Sequence, residues 1–168
     1  MKKLEENSKK TFIVTIIIYL IYKIYMSINA LGTNFKDIPG AQEELKTAGQ
    51  SGKVIVIMAS IVTIALFIFL TYIICKSIFK NINVDNPKML ERFSGIYFSN
   101  MTVLYIFSII ISLFNNYLPE IPWIKFTIIG VVKILIAIGF NMILLDNDED
   151  SEIKMVPNII LFAVVFLF

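Results

Sequence analysis

The stretch VIVIMASIVTIALFIFLTYIIC, Val54 to Cys75, holds no acidic and no basic residue. It is continuously apolar, and it does not alternate between two faces as a barrel strand does. A bilayer core of roughly 30 Å is crossed by about 20 helical residues rising about 1.5 Å each. This stretch meets that length. Three others do so as well, approximately Thr11–Leu31, Gly95–Phe114 and Phe126–Leu145. In lipid a helix satisfies its own backbone hydrogen bonds. The expected fold class is therefore an all-α integral membrane four-helix bundle in a single membrane domain.

The composition agrees. Of 168 residues, 57% are hydrophobic, against about 45–50% in an ordinary soluble domain. Lys2 and Lys3 before an apolar run invite comparison with a secretion signal. The run is longer than the 7–15 residues of a cleaved core, and no small-residue cleavage site follows. The first helix is expected to be retained. A final apolar run, 155–168, is shorter than a full crossing. It reads as a candidate partial or loosely inserted fifth transmembrane segment.

Lysine and arginine set the expected orientation. Lys2, Lys3, Lys9 and Lys10 precede the first span, and Lys76, Lys80, Lys88 and Arg92 lie between the second and third. The stretch between the first two spans has Lys36, Lys46 and Lys53, and the one between the last two has mainly Lys125. The N-terminus, the middle connection and the acidic segment after the fourth span are expected in the cytoplasm. Abundant Ile, Lys, Asn and Phe, all drawn from AT-rich codons, suggests a low-GC bacterium and hence a bacterial cytoplasmic membrane.

Enzymatic readings find little support. The chain has no histidine and one cysteine, Cys75, which removes the commonest general base and any CxxC metal motif. No HExxH, GxSxG or P-loop pattern is present. Asp146, Asp148, Glu149, Asp150 and Glu152 cluster after the fourth span, without the central glycine and ligand alternation of a calcium loop. The expectation is a non-enzymatic protein with no catalytic residue, cofactor or metal.

The polar residues inside the apolar runs carry the functional expectation. Lys23 and Lys133 interrupt the first and fourth spans. A lysine at a membrane helix centre costs about 2.5–3.5 kcal/mol on insertion scales. Thr15, Tyr19, Lys23 and Ser27 recur every four residues on one stripe. Asn100, Leu104, Ser108 and Ser112 form a second stripe, and Gly130, Lys133, Ala137 and Asn141 a third. Small residues let helices approach, and Asn, Ser and Thr hydrogen-bond between them. Lys133, Asn100, Asn141 and Lys23 are thus expected to form an intramembrane polar or anion-accepting pocket. The competing expectation is lysines that snorkel from a packed bundle.

The middle connection, Lys76 to Ser94, carries a second candidate. Asn86-Pro87 suits a helix start, asparagine as cap and proline at the first position. Lys88, Leu90, Arg92 and Phe93 are expected to present a cytoplasmic docking face, or to lie on anionic lipid. Tyr117 and Trp123 are placed as interfacial anchors.

Lys80-Asn81-Ile82 followed by Asn86-Pro87-Lys88-Met89-Leu90-Glu91-Arg92-Phe93 resembles the cytoplasmic hairpin of a family of small bacterial four-helix membrane proteins defined only as a domain of unknown function. Asn86, Lys88 and Leu90 match in position, Phe93 stands where the family has isoleucine, and the apolar run after residue 153 departs from its pattern. The resemblance implies architecture and no activity.

The expected function is an accessory, partner-binding or immunity-type subunit, contacting the lipid bilayer and either another membrane protein or a second copy, and no nucleic acid. The alternative is a small transporter or channel for an anion or polar solute near Lys133.

Overall fold

The computed structural model describes residues 2–34, 41–114, 117–118, 121–145 and 152–167. Among them every regular element of more than one turn is an α-helix: α1 Lys2–Asn34, α2 Ala41–Ile82, α3 Pro87–Leu113, α4 Pro122–Leu145 and α5 Glu152–Leu167. Four of the helices are long and apolar enough to cross a membrane, over Glu6–Ile28, Ile57–Ile82, Pro87–Leu113 and Pro122–Leu145. The acidic segment 146–151 lies outside the described residues.

The helices run longer than the apolar stretches that announce them. α1 has 33 residues and α2 has 42, about 50 and 63 Å at the standard rise. α2 begins well before the apolar stretch and passes through both Gly49 and Gly52. The basic connection expected over Lys76–Ser94 shrinks to a turn at residues 83–86. Backbone amides of Asn83 and Asn86 bond Phe79 and Asn83 carbonyls, each at 3.0 Å. The Asn86 side chain then accepts from the Met89 amide at 3.0 Å, with Pro87 at the first helical position. That cap satisfies one of the amide donors a helix start leaves open.

Residues 1–16 with 71–168 form one compact unit, and residues 17–70 a second. In the first, α3 is the hub. Ser99 meets Ser8 of α1 at 3.0 Å, and Phe98 meets Phe12 with ring centroids 5.1 Å apart. Tyr97 and Ser94 bond Thr71 and Tyr72 of α2 at 2.7 and 3.2 Å. Asn100 bonds α4, and α5 packs along α4 and α3. An aromatic cluster fills the middle: Phe79, Phe93 and Tyr97 are at most 3% exposed, joined by Tyr72 edge-on to Tyr97 at 5.1 Å. Offset and tilted ring pairs of this kind add about 0.5–1.5 kcal/mol each beyond burial.

The second unit, residues 17–70, is built from α1 and α2 segments. Ile17, Ile21, Tyr25, Leu66 and Phe69 are all at least half exposed.

Candidate functional site

The expected pocket residues divide into two groups. Asn100 and Asn141 come together, but on each other. Asn100 Nδ2 donates to Asn141 Oδ1 at 2.9 Å, and Asn141 Nδ2 donates to Asn100 Oδ1 at 2.7 Å. Each second amide hydrogen goes to a carbonyl one turn back on its own helix, Ile96 at 3.0 Å and Ala137 at 2.8 Å. Both side chains are at most 1% exposed. All four N–H donors are therefore used within the protein. This pair is a helix–helix joint, not a pocket wall. Its amides offer no donor to an incoming anion.

Lys23 and Lys133 take no part in it. Lys23 is exposed on α1, within the 17–70 unit. The α1 stripe changes along its length, from buried Thr15 to half-buried Tyr19 to exposed Lys23. Lys133 is half-buried on α4, and no hydrogen bond or ion pair to it is found among the described residues.

The asparagine joint sets the register of α3 against α4. One turn outward from each asparagine stand Leu104 and Ala137, 3% and 0% exposed. A further turn brings Ser108 and Lys133 to one level, both half-buried. Ser108 Oγ donates to the Leu104 carbonyl at 2.8 Å, and its oxygen keeps the capacity to accept. Beyond them is Gly130, where among the described residues no atom outside its own stretch of α4 lies within 4 Å of the position a Cβ would take. The seam is closed at Asn141 and open at Gly130.

The docking face is also revised. Lys88 is exposed and Leu90 and Arg92 are half-buried, but Phe93 is 3% exposed, packed on Phe79 at 5.1 Å and Tyr72 at 5.4 Å. Met89, one turn before it, is 2% exposed. The apolar side of this segment is occupied because the segment is the first two turns of α3, tied to the bundle. Only the basic side, with Lys88, remains outward.

A second joint was not anticipated. Asn83 Nδ2 donates to Asn158 Oδ1 at 3.0 Å, and Asn158 Nδ2 returns a bond to Asn83 Oδ1 at 3.2 Å. Both are 0% exposed. It fastens α5 to the α2–α3 turn, beside the Phe79–Phe162 ring contact at 6.2 Å. A sequence signal existed: Asn158 shares a stripe with Leu161, Phe162 and Val165, all buried, inside an otherwise apolar run.

No set of three or more histidine, cysteine, aspartate or glutamate side chains is grouped to hold a metal among the described residues. No protein-family model, no curated protein and no solved structure matches the chain.

Proposed function

We propose that this chain is a multi-pass integral membrane protein of a bacterial cytoplasmic membrane, with its N-terminus inside. We propose further that it acts without catalysis, as an accessory or immunity-type subunit bound to another membrane protein. The observation that carries this reading is a seam on α2. Ile57, Ser60, Ile64 and Phe67 recur at three- and four-residue steps, continued by Thr71, Cys75 and Phe79. Cys75 and Phe79 are 2% and 0% exposed, while Ile57, Ser60 and Ile64, in the 17–70 unit, are covered only in part. No residue of the apolar α2 window is fully buried by its own chain except at its last turns, and the most apolar window has none. A stripe with helical spacing and a serine in it fits a partner helix better than bare lipid, since small and hydroxyl residues let helices approach and bond.

The orientation draws on the same end of the first unit. Basic Lys9 and Lys76 lie over the rings of Phe98 and Tyr72 at 6.0 and 5.8 Å, beside the N-terminal half of α3. With Lys80 and Lys88, which flank the α2–α3 turn, these cations support a cytoplasmic side there, as the positive-inside rule asks.

The transporter or channel reading draws on Lys133, a cation near the middle of α4. Against it stands the Asn100–Asn141 joint, which fills the polar centre of the α3–α4 seam with the protein's own bonds. The test is purification of the tagged full-length protein from its own membranes in mild detergent, with the stoichiometry of what accompanies it. A reproducible membrane partner in fixed ratio is expected. A homo-oligomer without partner, conducting anions in liposomes, would refute the accessory reading and establish the other.

A further inference from the structure

The outer half of the α3–α4 seam has a composition its inner half lacks. Gly130 lies on the line of α4 that carries Ala137 and Asn141 inward, yet among the described residues nothing outside its own stretch of helix is within 4 Å of its missing Cβ. Lys133 stands one turn away, half-buried, level with Ser108 and below Ser112 of α3. The opening therefore joins free volume, one cation and the Ser108 hydroxyl. The acids within the four candidate spans, Glu6 and Glu91, sit in the opening turns of α1 and α3, away from it.

We propose that this opening receives a transmembrane helix of a partner protein that sets an aspartate or glutamate against Lys133. The inference rests on the accessory reading above and names the partner's chemistry. Charge complementarity selects the occupant. A second copy of this chain has no acid in the middle of any of its four candidate spans to offer. A lipid phosphate is excluded by depth. Lys133 is about 16 Å of helical rise from the Pro122 end of α4 and about 18 Å from the Leu145 end. Taking exposed Trp123 to mark the interface, where tryptophan concentrates, puts the Lys133 Cα about 15 Å inward, half the roughly 30 Å hydrocarbon core. A lysine stem does not cover that distance by snorkelling. A partner helix carries its carboxylate to that depth without cost to the headgroups. Gly130 gives the approaching backbone room, and the Ser108 hydroxyl is level with Lys133, where the carboxylate would sit. In an interior of low dielectric such a pair is held far more strongly than on a surface.

The test places a photo-crosslinking residue at Gly130 of the full-length protein, in the membranes of the cells that make it, and sequences the adduct. The expected adduct is a peptide from a transmembrane helix with an Asp or Glu within a turn or two of the crosslink. Lys133→Leu and Lys133→Glu should reduce it at least about tenfold, the loss expected when one partner of a buried charge pair is removed. Lys133→Arg should keep it, and Lys133→Glu combined with Asp or Glu→Lys in the partner should restore it. Removing an apolar-embedded charge does not unfold a membrane helix, so Lys133→Leu should keep its melting temperature. An adduct indifferent to Lys133→Leu, or made only with lipid or with a second copy, overturns the inference. A partner that co-purifies undiminished with Lys133→Leu also overturns it, and leaves the accessory reading intact. No partner at all overturns both.

Discussion

The filled and the partly covered halves of this molecule's helix stripes differ in one physical respect. In the filled half every buried polar atom of the two asparagine joints meets a partner, and the aromatic rings of Phe79, Phe93, Tyr97 and Phe162 are essentially inaccessible. In the other half the stripes keep their spacing but are only partly covered, at Ile57, Ser60 and Ile64 on α2 within the 17–70 unit and, separately, at Lys133 on α4. The difference teaches that helical periodicity marks a face meant for contact, while burial shows which part of that face the chain itself fills. What is unfilled is where the proposed partner belongs.

The largest effect expected from breaking this contrast comes from Phe79, which is 0% exposed. Phe79→Ala should destabilise the detergent-solubilised protein by about 3–5 kcal/mol, as for buried phenylalanines elsewhere. Phe69→Ala, at a site 60% exposed, should stay within about 0.5 kcal/mol. Thermal unfolding followed by circular dichroism separates the two, and equal effects would abolish the distinction between the halves.

Next come the asparagine joints. Asn100→Leu leaves the buried Asn141 amide with an unmet donor and acceptor, a cost of about 1–3 kcal/mol. The double variant Asn100→Leu, Asn141→Leu removes both groups and should be less destabilised than the sum of the singles. A double-mutant cycle measures this coupling; strict additivity would mean that the two amides do not hold each other. Asn158→Ala should cost about 1 kcal/mol and expose α5 to protease while α1–α4 stay protected. Uniform cleavage of all five helices would show that this joint anchors more than α5.

A smaller effect sharpens the comparison by chemistry. Cys75 is 2% exposed, and a buried thiol in apolar surroundings reacts slowly. In Cys75→Ser carrying Ser60→Cys, a membrane-permeant maleimide should label at least about tenfold faster than it labels the unaltered protein. When the proposed partner is bound, that gain should disappear. The smallest effect concerns the cap: Asn86→Ala should lower stability by about 1 kcal/mol, read as a shift in the unfolding midpoint with no change in partner stoichiometry.

Much of the architecture was legible in the residues. Length and hydropathy between Val54 and Cys75 suffice to place a helix there, because lipid-length apolar runs have few alternatives. Asn86-Pro87 announces the start of α3, since capping chemistry is local. The true lengths of α1 and α2 were not legible, because polar helical turns beyond an apolar run look like loop. Phe93 was misread for a related reason. Its spacing with Met89 shows an apolar face but not what covers it, and the cover is Phe79 and Tyr72 from another helix.

The residues alone determined helicity, the four candidate spans, the charge asymmetry and the stripes on which polar groups recur, for all of these follow from local backbone geometry and composition. Only the tertiary structure decided that Asn100 takes Asn141 and Asn83 takes Asn158, leaving Lys133 outside both joints. A periodic stripe gives a face and a spacing. Which residue it meets depends on the register and rotation of a second helix, and those are set by the packing of all five together.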